Sequence, residues 1–142
     1  MSLMIRLACP DDAEALRRLN EAFNEISDVS AEDICRSLIA SGKIVAVVDV
    51  DKCIVGFCCA QVHHSFCYPA PVAEITELYV DAAHRRMGCA SGMLRYLETT
   101  LREDYGADEC HLLTSCANHT AQSLYASLGY EVHHETYMSK SL

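Results

Sequence analysis

The sequence predicts an α/β domain on a mixed, mostly antiparallel sheet, with elements in the order β-α-α-β-β-β-α-β-α-β. Three observations lead there. Ala73–Glu103 reads as a strand, a tight polar turn and a long amphipathic helix. Lys43–Val50 and Cys53–His63 read as two strands joined at Asp51-Lys52, a short hairpin connection. The 142 residues carry no internal repeat and no linker, and a 51% hydrophobic fraction suits one folded domain over 1–142.

Each element has its own warrant. Leu3–Ala8 alternates loosely and reads as a first strand. Pro10 with Asp11 or Asp12 supplies a helix start, the acidic residues suiting the first turn. Leu16, Leu19, Phe23 and Ile26 then mark one apolar face of a first helix. Ser30 with Asp33 three residues on forms a box-like cap for a second helix, faced by Ile34, Leu38 and Ile39 and closed by Gly42. Ser65–Pro71, with two prolines, reads as a loop.

Further on, Ala73–Val80 mixes β-branched and aromatic residues and predicts a strand. Ala90, Met93, Leu94, Leu97 and Leu101 fall at steps of three and four and predict the long helix. After Gly106, Glu109–Ser115 predicts a strand, and Asn118 opens a last helix faced by Ala121, Leu124, Tyr125 and Leu128. Gly129 ends it, and Tyr130–Met138 predicts a final strand.

Composition excludes several classes. The net charge is −9, and no basic stripe of useful size exists, which disfavours nucleic acid as a partner. No apolar run approaches the ~20 residues of a membrane span. The N-terminal residues lack a signal-peptide apolar core, so a cytoplasmic location is expected. The nine cysteines are odd in number, form no C-x-x-C pair and sit mostly in apolar, strand-like surroundings, so they read as reduced core residues. His63-His64 and His133-His134 are adjacent rather than spaced as ligands, and no metal is expected.

Charge is unevenly spread. Asp11 to Asp33 holds eight acidic residues against Arg17 and Arg18, while His84 to Arg102 holds four arginines against Glu98. The basic segment surrounds the turn Arg85-Arg86-Met87-Gly88-Cys89-Ala90, where a helix must begin. Backbone N–H groups at a helix start lack intrahelical partners and lie at the positive end of the dipole. The turn is therefore a candidate anion site, most often for phosphate. A helix start that merely needs Gly is the plainer alternative, but two arginines beside an empty helix start would repel its dipole.

Arg85-x-x-Gly88-x-Ala90, after a strand ending Leu78-Tyr79-Val80-Asp81, resembles the acetyl-CoA signature of the GNAT N-acetyltransferase superfamily. Asn118-x-x-Ala121-x-x-Leu124-Tyr125-x-x-Leu128-Gly129-Tyr130-Glu131 resembles that family's second characteristic segment. The element order matches across nearly the whole chain. The resemblance implies acetyl-CoA as cosubstrate, with Arg85, Arg86, Met87, Gly88, Cys89, Ala90 and Ser91 around the pyrophosphate. Gly88 and the small Ala90 suit a close backbone approach, and Arg85 or Arg86 can add charge-assisted bonds. The position of Arg86 is often Gly in the family, so a stiffer turn is expected here. The resemblance further implies a splayed cleft between the Ala73–Val80 and Cys110–Ser115 strands. Leu78, Tyr79, Val80 and Asn118 would contact the cofactor there, and Asn118 also reads as a plain helix cap.

Acetyl transfer to an amine needs a base for the ammonium proton and an acid for the leaving thiolate. Counting back from Arg85, Glu74 occupies the place of the family's usual catalytic Glu or His and is the favoured base. Glu77 is the reserve, as base or amine anchor; the plainer alternative makes both solvated edge charges. On a regular strand the two point to opposite faces, Glu74 with Thr76, Leu78 and Val80, and Glu77 with Tyr79. A bulge would upset that arrangement. Tyr125 stands where the family commonly holds a tyrosine acid, and a phenol of pKa about 10 suits donation to a thiolate; its alternative is packing beside Leu124 and Leu128. The oxyanion donor is expected near Leu78–Val80. His63 or His64 is a candidate proton shuttle, set against a surface role, and Cys89 is open to alkylation or oxidation.

The acceptor is the least determined part. In this fold the first two helices and the His64–Val72 loop wall the amine site, and their acidity favours a cationic amine by steering. Polyamines, aminoglycosides, lysine side chains and basic peptide N-termini all qualify, with a small amine favoured over a protein substrate. A non-catalytic acyl-CoA-binding regulatory module is the competing class, and intact base and acid candidates weigh against it. Many members of the family form a homodimer; no feature of this sequence decides that.

Overall fold

A computed structural model of the chain describes residues 2–25, 27–40 and 43–142. It holds five strands in one sheet, ordered β1-β2-β3-β4-β5. These are β1 (Leu3–Leu7), β2 (Ile44–Val50), β3 (Cys53–His63), β4 (Val72–Val80) and β5 (Glu109–Leu112). The first three pairings are antiparallel and the last is parallel. Four helices cover the sheet, α1 (Ala13–Asn24), α2 (Ala31–Ile39), α3 (Cys89–Tyr105) and α4 (His119–Ser127). The expected α/β class and mixed sheet are what the chain forms.

The β2–β3 hairpin turns through Asp51 and Lys52, both with positive φ (51° and 70°). That is the left-handed pair whose twist matches a two-residue hairpin. Strand β2 reads Ile-Val-Ala-Val-Val because it is buried on both sides. Ala46 and Val48, with Cys58, Ala60, Ala73 and Ile75, pack against Met93, Leu94, Leu97 and Leu101 of α3. Leu124, Tyr125 and Leu128 of α4 join that face. On the opposite face Val47, Ile54 and Phe57 meet Leu16 and Leu19 of α1, with Ile34 and Leu38 of α2 at the margin. Truncating a fully buried side chain such as Leu97 costs about 2–5 kcal/mol.

Caps place the helices where the sequence puts them. Ser30 Oγ accepts from the Asp33 N–H and Asp33 Oδ2 accepts from the Ser30 N–H, both at 3.1 Å, closing the predicted box. Asp12 is buried at the entry to α1, where Arg6 grips it with two bonds of 2.7 and 2.9 Å and the Cys9 N–H adds a third at 2.8 Å. Ile26 and Gly42, expected to extend α1 and close α2, lie outside the described residues.

Three expectations need correction. The strand predicted over Glu109–Ser115 stops at Leu112, because β5 leaves β4 after the pair Ile75↔Leu112. The predicted final strand Tyr130–Met138 is not formed, and residues 131–142 are exposed. Alternation sets only a tendency; a strand needs ladder partners for its N–H and C=O groups, and this stretch has none among the described residues. All nine cysteines are free, yet only Cys58 and Cys89 are buried. Cys53 sits at a hairpin end and Cys67 in the loop, positions that apolar neighbours in sequence do not reveal.

Candidate active site

The site begins where β4 ends. A short 3-10 turn at Ala82–His84 follows Val80, and α3 starts after Gly88. Arg86 and Gly88 both adopt left-handed backbone, φ 63° and 81°. Left-handed residues within a turn aim successive N–H groups into one concavity, a nest for anions. After Arg85, the first N–H with a backbone acceptor is that of Gly92, on the Gly88 carbonyl at 2.9 Å. The N–H groups from Arg86 to Ser91 therefore remain free at the positive end of a 17-residue helix. A Cβ built on Gly88 would meet only Ser91 Oγ, at 4.0 Å, so the space in front of the turn is open. Unspent donors, a helix dipole and room for close approach together fit a pyrophosphate.

The side chains here divide differently from expectation. Arg85 turns back toward β4, donating its Nε–H to the Val80 carbonyl at 3.0 Å with its guanidinium 5.8 Å from the Tyr79 ring centre. Arg86 is exposed and takes the left-handed conformation usually left to Gly, at a cost of about 1 kcal/mol. Met87 packs on the core beside α3. The Cys89 thiol is buried and burial pushes its pKa up, so it is a poor target for alkylation or oxidation.

The cleft lies between β4 and β5. Beyond Ile75↔Leu112 the two strands no longer pair, while β4 continues on β3 to Val80. The β5-side edge of Leu78, Tyr79 and Val80 is thereby left open as a ladder. Asn118 caps α4, its Oδ1 accepting from the Ala121 N–H at 3.1 Å. Tyr125 packs into the core face of that helix, its ring 5.9 Å from that of Tyr130 in an edge-on contact. Burial raises its phenol above the usual value, with the neighbouring Cys58 thiol adding to the effect. Cys58 pairs with Leu78 across β3–β4, so Tyr125 borders the open edge of the cleft.

The carboxylates correct the reading from strand alternation. Cys59 pairs with Glu77 and Ala60 with Ile75, leaving Thr76 as an extra residue in β4. The Thr76 hydroxyl donates to the Cys59 carbonyl at 3.4 Å. This bulge resets the alternation. Glu74 opposes Gln61, Glu77 opposes Cys59 and Tyr79 opposes Phe57, so all three share the α1–α2 face. Leu78 and Val80 belong with the α3 core instead. Glu77 is close enough to Cys59 to assist burial in pushing that thiol up to about 12.

Glu74 Oε2 lies 2.9 Å from His63 Nε2. Both line a cavity of about 250 Å³ with Val72, His111, Leu112 and Leu113. His64 lies just beyond β3 and is exposed. The sequence reading missed His111 and the Thr76 bulge. Nothing in the strand's composition marks a bulge, and His111 is distant from β4 in sequence.

The acidic front is less negative than its residues suggest. Asp12 pairs with Arg6, Glu14 and Glu21 with Arg17, and Glu32 and Asp33 with Arg36. On β4, Glu74 and Glu77 add two carboxylates to the α1–α2 face. Among the described residues no group of three or more His, Cys, Asp or Glu could hold a metal ion. Nor, among the described residues, is any helix long and apolar enough to cross a membrane.

Known proteins share this fold. The aminoglycoside acetyltransferase AAC(6')-Iy, solved with a bisubstrate analogue, is 20% identical with a TM-score of 0.87, covering 100% of this chain and 99% of that one. A ribosomal-protein-alanine N-acetyltransferase from Brucella melitensis is 16% identical at a TM-score of 0.84, covering 99% and 100%. An acetyltransferase from Trypanosoma brucei is 22% identical at a TM-score of 0.83, also covering 99% and 100%. No curated protein sequence matches the chain. The family model for the acetyltransferase (GNAT) family matches residues 13–130, a span that includes the open turn, the cleft and Tyr125. The chain therefore belongs to the GNAT family, the N-acetyltransferases that draw on acetyl-CoA.

Proposed function

We propose that the chain acetylates the primary amine of a small cationic molecule by direct transfer, with Glu74 as base and Tyr125 as acid. The observation that carries this reading is the shared face of Glu74 and Glu77 beside the cleft. Two carboxylates on one face attract an ammonium group and can separate the tasks of anchoring and deprotonation. The solved aminoglycoside acetyltransferase with sisomicin, 23% identical, is a neighbour whose ligand carries several amines.

Acetyl-CoA, when bound, supplies an activated acetyl thioester. The N–H groups of Arg86, Met87, Gly88, Cys89, Ala90 and Ser91 hold its pyrophosphate, and Arg86 adds charge. The open edge of Leu78, Tyr79 and Val80 orients the pantetheine arm, and backbone N–H groups there stabilise the developing oxyanion. Asn118 Nδ2 is free to reach the cofactor while its Oδ1 caps α4. Glu77 anchors the acceptor, and the free Glu74 oxygen takes one ammonium proton, making the nitrogen a nucleophile. As the C–N bond forms and the C–S bond breaks, Tyr125 gives its hydroxyl proton to the departing sulfur and regains one from the acylated nitrogen.

A peptide or protein amine is the second reading, favoured by Phe66 and Tyr68, which stand 102% and 69% exposed on the loop between β3 and β4. Free CoA release across a panel of polyamines, aminoglycosides and peptides decides between them. A small polycation should be turned over at a higher kcat/KM than any peptide. Turnover of peptides alone would move the assignment to the second reading.

A further inference from the structure

We propose that His63 is the positioning residue for Glu74, holding one carboxylate oxygen so that the other faces the acceptor amine. The inference rests on the reading of Glu74 as base. In the β3–β4 ladder His63 opposes Val72 and Gln61 opposes Glu74. His63 and Glu74 are thus diagonal neighbours on one face, a spacing that long side chains bridge. The 2.9 Å contact joins His63 Nε2 to Glu74 Oε2, and among the described residues no other side chain bonds Glu74. An ionised carboxylate only accepts, so the ring donates its Nε2–H and keeps the Nδ1 lone pair outward.

The carboxylate torsion of Glu is broad, so an untethered Glu74 would turn among many orientations. The tether selects one, at the wall of the 250 Å³ cavity that both residues line. His63 is half-exposed, with 53% of its side chain in contact with solvent. The groups around it are Glu74 from β4, His111 from β5 and the adjoining His64. His111 is itself engaged with Glu109 at 3.3 Å, which leaves His63 as the ring that governs Glu74.

The test is kcat and acceptor KM at about pH 8 for wild type, His63→Ala, His63→Gln and Glu74→Gln, with acetyl-CoA affinity measured on each. His63→Ala should lower kcat about tenfold with acetyl-CoA affinity unchanged. His63→Gln restores a donor to Glu74 and should recover most of that loss. An inactive Glu74→Gln beside a fully active His63→Ala, or beside a His63→Gln no more active than His63→Ala, overturns the role given to His63. An active Glu74→Gln overturns the assignment of the base itself.

Discussion

Glu74 and Glu77 stand three residues apart and share one face of β4, because Thr76 is a bulge that opposes nothing in β3. A regular strand would send one carboxylate into the α3 core. The bulge turns both toward the α1–α2 face, and the proposed division between anchoring and deprotonation rests on that shared face.

The two carboxylates should fail in different ways. Glu74→Gln is expected to lower kcat by about 10²–10⁴ with little change in acceptor KM, the usual scale of a lost general base. Glu77→Gln should raise acceptor KM and spare kcat. Steady-state kinetics with the best small amine separates them, and equal losses of kcat in both would undo the division of tasks.

Tyr125→Phe should lower turnover about 10- to 100-fold while acetyl-CoA affinity stays close to wild type. Burial keeps the phenol protonated well past neutrality, so its loss should not create a new pH limb below about pH 9. Isothermal titration beside kinetics checks this, and a large fall in affinity would make the ring structural.

Gly88→Val should abolish acetyl-CoA binding while the fold persists. A side chain at φ 81° strains the turn by about 1 kcal/mol and fills the open approach to the free N–H groups. Retained acetyl-CoA affinity in a folded variant would place the pyrophosphate elsewhere.

Two stability predictions concern the sheet. A Cβ on Gly56 would lie 2.8 Å from the Tyr79 carbonyl oxygen, where β3 and β4 press together. Gly56→Ala should therefore cost about 1–3 kcal/mol in urea unfolding. Wild-type unfolding at that cost would show that the strands part easily.

Asp12→Ala removes the acceptor for Arg6 and for the Cys9 N–H and should cost about 2 kcal/mol, the partial exposure of Arg6 keeping the figure modest. The Arg6 hydrogen bonds hold the Asp12 carboxyl below its ordinary value. Its contribution is thus present above the unfolded value of about 3.9 and is lost as pH falls through the lower folded one. Acid unfolding of wild type and Asp12→Ala should converge at the low end; parallel curves would remove the pair from the account.

Much of this was legible from the sequence. Gly88 beside two arginines marked the free helix start, Ser30 with Asp33 marked a cap, and Asp51-Lys52 marked a hairpin. Those are local rules of backbone and capping, and tertiary packing does not override them here. What escaped depended on partners distant in sequence. The Thr76 bulge is fixed by how β4 meets β3, and the contact of His63 with Glu74 is set by register. The expected strand at Tyr130–Met138 has no ladder partner among the described residues.

Release of CoA with a polyamine and aminoglycoside panel, for wild type beside Glu74→Gln, tests the central claim most directly. The account predicts steady turnover of at least one small polycation by wild type and a loss of about 10²-fold or more in Glu74→Gln, with acetyl-CoA binding equal in both. Equal turnover by the two proteins, or tight acetyl-CoA binding with no turnover of any amine by wild type, would contradict it.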